Sequence, residues 1–192
     1  MPDQPVATTR TPALLDELLA VMLAEGFMHL SMADVARRLR CSKTTLYGVA
    51  SSKEQLFIAA VRTFFRAATE RVEASLARST APMERIGAYL EAISVELAPA
   101  TPAFFADVDA FAPVREIYRD NTRAAASRVQ DLVREAAPAA DASFVGAVAG
   151  LVIESIHRGD IRASTDLDDS AAFRSLADLI IAGLAGRRTA GA

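Results

Sequence analysis

Apolar positions recur along the chain at three- and four-residue spacing, which predicts helices rather than strands. Leu14, Leu15, Leu18 and Met22 line one face of a first helix, and Phe27 continues it. Thr11 is its expected N-cap, Pro12 suits the first helical position, Asp16 and Glu17 lie near its positive end, and Gly26 stops it. Met32, Val35, Ala36 and Leu39 repeat the spacing behind Ser31, which forms a capping-box pattern with Asp34. This second helix should be about eight residues long. Arg40 and Cys41 make a turn, and Ser42 caps a third short helix from Lys43 to about Gly48 with Leu46 inward. Ser51 has the box spacing to Glu54, with Ser52 as the alternative cap, for a helix reaching about Ser79. At about 27 residues it would span on the order of 40 Å.

Beyond it, Pro82, Pro99, Pro102, Pro113, Pro138 and Gly159 divide the chain into helices near 82–97, 103–111, 114–137, 141–158 and 168–185. The expectation is an all-α protein of about nine helices. Composition agrees: Ala, Arg and Leu are the most numerous residues, Trp is absent, and the 192 residues are enough to bury a core without covalent help. The first ten residues, with two prolines and only Arg10 as a cation, read as a loose arm. A small N-terminal domain over 11–58 and a larger one over 59–186 are expected.

A net charge of −3 excludes a protein coated in positive charge. Positive charge is instead local: Arg37, Arg38, Arg40, Lys43 and Lys53 lie in a stretch from Ala36 to Lys53 that holds no acid. Such a patch can bind phosphate while the remaining surface stays acidic. The single Cys41 excludes an internal disulfide and a thiolate zinc cluster. With no signal-like or membrane-spanning apolar run, the expectation is a cytoplasmic protein with no membrane partner and no cofactor.

Three short helices must pack together around Leu18, Met22, Phe27, Val35, Leu39, Leu46 and Leu56, leaving the third at an edge. That is the layout of a helix-turn-helix, whose third helix fits the major groove of DNA while the second crosses the backbone. Arg40, Ser42, Lys43, Thr44, Thr45, Tyr47 and Lys53 are the candidate DNA-binding residues. Lys43 can donate to guanine or phosphate, and Thr44 and Thr45 offer a hydroxyl or a methyl group to base edges. Tyr47 and Lys53 can hold phosphates, the latter beside the free amides of the next helix start.

The stretch "SMADVARRLRCSKTTLYGVASSKEQLF", preceded by Gly26 and Phe27, resembles the TetR family of bacterial transcriptional regulators, above all in "TLY" at 45–47 and "SKEQL" at 52–56. The resemblance covers about residues 11–60. It implies a homodimer on a palindromic operator, repression by promoter occupancy, and phosphate contacts at Tyr47 and Lys53. Three positions depart from the family pattern: Arg40 stands where a glycine is usual, Thr44 where a glycine or small residue is, and Ala50 where an aromatic is. The closing segment "GDIRASTDLDDSAAFRSLADLIIAGL" resembles the last connection and helix of a large subgroup that senses small molecules or regulates efflux and stress genes.

Dimerisation also has a basis in the residues. The 141–158 helix presents Phe144, Val148, Leu151 and Val152, with Gly146 and Gly150 allowing close approach of another helix. The last helix offers Phe173, Leu176, Ile180 and Leu184, and two such helices per chain would make a four-helix interface. The middle of the chain is rich in aromatic residues, and Phe64, Phe65, Tyr89, Phe104, Phe105, Phe111, Tyr118 and His157 are the candidate lining of a pocket for a small, largely apolar effector. An effector there would shift the long helix and change the separation of two reading helices. His29 and His157 have no metal-ligand spacing, Cys41 reads as a small buried hydrophobe, and Asp166, Asp168 and Asp169 read as a loop with an N-cap rather than a calcium loop. The competing function class, a helical enzyme or protein-interaction bundle, would need converging polar residues between Thr80 and Ala140, where only scattered charges occur.

Overall fold

The computed structural model describes residues 7–189. They form ten α-helices, with no strand among the described residues. In chain order these are α1 (Ala7–Glu25), α2 (Met32–Arg38), α3 (Lys43–Val49), α4 (Lys53–Leu76), α5 (Pro82–Leu97), α6 (Pro102–Ala110), α7 (Ala112–Ala136), α8 (Ala142–His157), α9 (Asp160–Thr165) and α10 (Asp169–Thr189). The all-α expectation holds, with one helix more than expected. The extra one, α9, is a short turn of helix flanked by left-handed residues, Gly159 at φ 80° and Asp166 at φ 59°. Six residues give too little periodicity to register as a helix.

Local chemistry explains most boundaries. Ser31 and Asp34 close a reciprocal capping box, with Asp34 N–H donating to Ser31 Oγ at 3.2 Å and Ser31 N–H to Asp34 Oδ2 at 3.0 Å. Ser42 Oγ accepts the Thr45 N–H at 3.0 Å and starts α3. At α4 the cap is Ser52 rather than Ser51: its Oγ accepts from Gln55 N–H at 3.2 Å, and its carbonyl takes the Leu56 N–H at 3.0 Å. The helix stops at Leu76 and tightens into a turn in which Ser79 N–H reaches Leu76 O. α1 begins at Ala7, ahead of the expected Thr11, so Pro12 lies inside the helix and forgoes one backbone hydrogen bond. The expected N-terminal arm is thus helical from Ala7, and its first six residues lie outside the described ones.

The chain divides into two compact units. The first runs to Ala67 and takes in Pro99–Tyr118. In it, Leu18, Met22, Phe27, Val35, Leu39, Leu46 and Leu56 are all buried, and α1 packs on α6. Full burial of Phe27, Phe57 and Phe104 contributes about 1.5–3 kcal/mol for each ring.

The second unit comprises Ala68–Ala98 and the residues from Arg119 onward. Here α10 packs on α5 and α8, around Ile86, Leu90, Val129, Leu132, Val133, Ile153 and Phe173. Gly146 and Gly150 serve an approach within the chain: a β-carbon on Gly146 would lie 2.9 Å from the Ala126 carbonyl, and one on Gly150 would lie 3.0 Å from Ala126 Cβ. The close partner of this small-residue face is therefore α7 of the same chain. Among the described residues, no helix is long and apolar enough to cross a membrane.

Candidate nucleic-acid interface

α2 and α3 are joined by a turn whose geometry is set by backbone bonds. Leu39 N–H donates to Val35 O at 2.9 Å, and Cys41 N–H reaches back to Ala36 O at 3.0 Å. Between them Arg40 takes φ 48°, a left-handed conformation in which a side chain is strained. The half-buried Cys41 sits in this turn.

Leu46 is fully buried and fixes the roll of α3. Lys43, Thr44, Tyr47 and Gly48 consequently share the solvent face, with Tyr47 54% exposed. Thr45 is half-buried, and its hydroxyl lies 2.9 Å from Ser42 Oγ, so this pair organises the helix start. Lys53, the first residue of α4, donates from Nζ to the Met28 carbonyl at 3.2 Å, and the same ammonium lies 5.8 Å from the Phe57 ring centroid.

The basic run is not uniformly available. Arg37 pairs with Asp34 at 2.6 Å, and Arg38 pairs with Glu25. The Asp34 carboxyl is held below its ordinary value, first by the Ser31 hydroxyl and backbone N–H and then by Arg37. Among the described residues, Arg40 and Lys43 have no ion-pair partner. Exposed cations without a local acid are the ones a polyanion can neutralise without first displacing a carboxylate.

The aromatic candidates separate. Within the first unit, Phe64 and Phe65 have ring centroids 5.1 Å apart, Phe65 and Tyr118 6.0 Å, Tyr118 and Phe105 6.1 Å, and Phe105 and Phe104 5.4 Å. Phe27 then links Phe104 at 6.2 Å, Phe111 at 6.4 Å and Phe57 at 5.1 Å. This continuous array leads from α7 to the helix-turn-helix core. Tyr89 and His157 belong to the other unit. Burial and the charge of Glu73 push the Tyr89 hydroxyl up, and burial lowers His157, whose ring is 5.6 Å from Phe173, to about 4. A groove of about 480 Å³ opens between α4 and α5, lined by Arg71, Ser75, Arg78, Glu91 and Val95 and by none of the aromatic candidates.

The dimer candidates also divide. On α8, Phe144 is 66% and Leu151 68% exposed, while Val148 and Val152 are half-buried. On α10, Phe173, Leu176, Ile180 and Leu184 are turned into the unit's own core, and the solvent-facing apolar residue is Leu179 at 70% exposure. The apolar stripe of α10 packs mainly on α5, so periodicity identified its buried face and passed over its exposed leucine. Sequence reasoning also passed over Asp107, whose carboxylate on α6 accepts the backbone N–H groups of Phe27 and Met28. Asp107 is one of two acids in "AFFADVDAF", and nothing in that stretch gives a local sign of the role.

Residues 14–60 match the family model described as bacterial regulatory proteins, tetR family. The chain is 25% identical over 163 residues to the HTH-type transcriptional regulator BetI of Rhizobium meliloti (strain 1021), covering 82% of this chain and 80% of the relative. Its fold is similar to that of a TetR-family transcriptional regulator from Streptomyces coelicolor, with a TM-score of 0.70, 17% identity, and coverage of 95% of this chain and 97% of the other. It is also similar to that of a transcriptional regulator from Saccharomonospora viridis in complex with choline, with a TM-score of 0.71, 15% identity, and coverage of 90% and 96%.

Proposed function

We propose that the chain is a DNA-binding transcriptional regulator of the TetR family and, within that reading, a homodimeric repressor released from a palindromic operator by a small effector. The carrying observation is the α3 face, where Lys43, Thr44 and Tyr47 are exposed opposite the buried Leu46. In this reading α3 enters the major groove. Lys43 and Thr44 meet base edges, the Tyr47 hydroxyl meets a phosphate, and Arg40 and Lys53 flank it with charge. Ser42 and Thr45 hold the helix start in register.

The dimer is proposed to form through α8 and α10, with Phe144, Leu151 and Leu179 as its apolar centre and the half-buried Val148 and Val152 beside them. Two-fold symmetry then sets two α3 helices on half-sites about 34–36 Å apart. The effector is proposed to act at the half-buried rings of Phe65 and Phe105 and the buried Tyr118 they adjoin, which suit an apolar molecule. Their faces also suit a quaternary ammonium, so choline, bound in the Saccharomonospora viridis neighbour, belongs among the first probes.

Selection of genomic fragments by the purified protein at fixed near-physiological salt, followed by footprinting, tests this reading. The expected result is a protected inverted repeat, with comparable binding absent from scrambled DNA. The variant carrying Tyr47→Phe and Lys53→Ala should lose that protection while its dimer stays intact; unchanged protection would overturn the proposed reading surface.

A further inference from the structure

We infer that Asp107 is a positioning residue for the DNA-contacting start of α4, acting through the backbone of Met28; this rests on the DNA-binding reading above. α1 ends at Glu25, and Gly26 leaves it at φ 80°. The next two amides converge on one oxygen: Phe27 N–H donates to Asp107 Oδ2 at 2.5 Å and Met28 N–H at 2.9 Å. Consecutive N–H groups after a left-handed residue form a concavity that favours an anion, and here the α6 carboxylate occupies it. A β-carbon on Gly26 would lie 2.6 Å from that oxygen, so the carboxylate and the bare glycine fit only together.

A second tie fixes the other end of α6. Thr101 donates to the Leu23 carbonyl from both its N–H, at 2.9 Å, and its Oγ1, at 3.0 Å. α6 thus holds the exit of α1 at two places, with Phe104 packed against Phe27 between them. Movement of α6 must either carry the 26–28 loop with it or break charge-assisted hydrogen bonds, each stronger than a neutral one.

The loop in turn holds Lys53. Met28 gives its N–H to Asp107 and accepts Lys53 Nζ on its carbonyl at 3.2 Å. Phe57, whose ring faces the same ammonium, packs on Phe27. One residue therefore joins the α6 carboxylate to the cation at the start of α4. With the carboxylate in place, Lys53 is held beside the first turn of α4, and less side-chain freedom is lost when it meets a phosphate. Without it, the Met28 backbone is released and Lys53 loses its local partner.

The test is a double-mutant cycle on a duplex that the wild-type protein selects from a random pool. Affinity is measured against salt for wild type, Asp107→Asn, Lys53→Ala and the double variant, with thermal melts and sedimentation reporting fold and dimer. Asp107→Asn is expected to weaken binding about fivefold. That loss should shrink to within about twofold in the Lys53→Ala background, because the two residues act as one. The salt dependence of Asp107→Asn should fall by about one ion, as for Lys53→Ala. Gly26→Ala, which drives a β-carbon at the carboxylate, supplies a second route to the same displacement if Asp107→Asn does not fold. Equal losses in both backgrounds, or Asp107→Asn binding within about twofold of wild type, would overturn the inference and leave DNA binding standing. A wild-type protein that enriches no sequence would bring down the reading surface and this inference with it.

Discussion

The Cys41 N–H closes onto the Ala36 carbonyl at 3.0 Å across Arg40, which is held at φ 48° in the turn between α2 and α3. A left-handed residue other than glycine costs about 1–2 kcal/mol, and the strain falls on an exposed arginine with no ion-pair partner among the described residues. Glycine at this site would relieve the strain but enlarge the unfolded chain's freedom by about 0.4–1 kcal/mol. Arg40→Gly is therefore expected to gain about 0.5 kcal/mol in stability. If Arg40 meets a phosphate, the same variant loses about one ion from the salt dependence of DNA binding. Opposite signs in a thermal melt and a salt titration would identify an arginine kept for contact; a loss of stability would refute the strain argument.

The helix-turn-helix was legible because its signals are local. Ser31 with Asp34, and Ser42 with Thr45 three residues on, each specify a helix start through a pair of near neighbours, and Leu46 sets the face of α3. What escaped depends on residues far apart in sequence. The link from Asp107 to Phe27 spans 80 residues and leaves no periodic trace. The stripe of Phe173, Leu176, Ile180 and Leu184 was visible, but periodicity gives a buried face without saying whether α5 of the same chain or a second chain buries it. Gly146 raised the same ambiguity, and α7 proved to be its close neighbour.

Two helical glycines should respond oppositely to alanine. Gly48 has open space where a β-carbon would go, so Gly48→Ala should gain about 0.5–1 kcal/mol from helix propensity. Gly146→Ala would press a methyl group to 2.9 Å from the Ala126 carbonyl and equally close to Gln130 Cβ. The overpacking should cost about 1–3 kcal/mol. Urea melts of the two variants without DNA check both signs, and a stabilised Gly146→Ala would show that α7 and α8 separate easily.

His157 predicts a pH dependence of stability. Burial lowers its folded-state value to about 4 from an ordinary 6.5, so the unfolded chain takes up the proton first. Its contribution is therefore intact above about pH 6.5 and is lost as the pH falls towards 4, a span equivalent to about 3 kcal/mol. Denaturant midpoints of the wild-type protein should fall between pH 7 and pH 5 more steeply than those of His157→Leu, which keeps an apolar side chain against Phe173. Parallel curves would assign the acid sensitivity to other groups.

The solvent-facing leucines carry the last prediction. Leu151 on α8 and Leu179 on α10 are 68% and 70% exposed, so a charge at either touches little of the chain's own core. Leu151→Glu should change the unfolding free energy of a single chain by no more than the roughly 0.5 kcal/mol typical of surface substitutions. In the proposed dimer, however, the same carboxylate would be buried among apolar side chains without a partner, at a cost of several kcal/mol. Sedimentation should therefore show Leu151→Glu as a folded monomer, and its binding to an inverted repeat should weaken because the two half-sites no longer share one protein. A Leu151→Glu protein that remains dimeric and binds the repeat as wild type does would move the interface away from this face of α8.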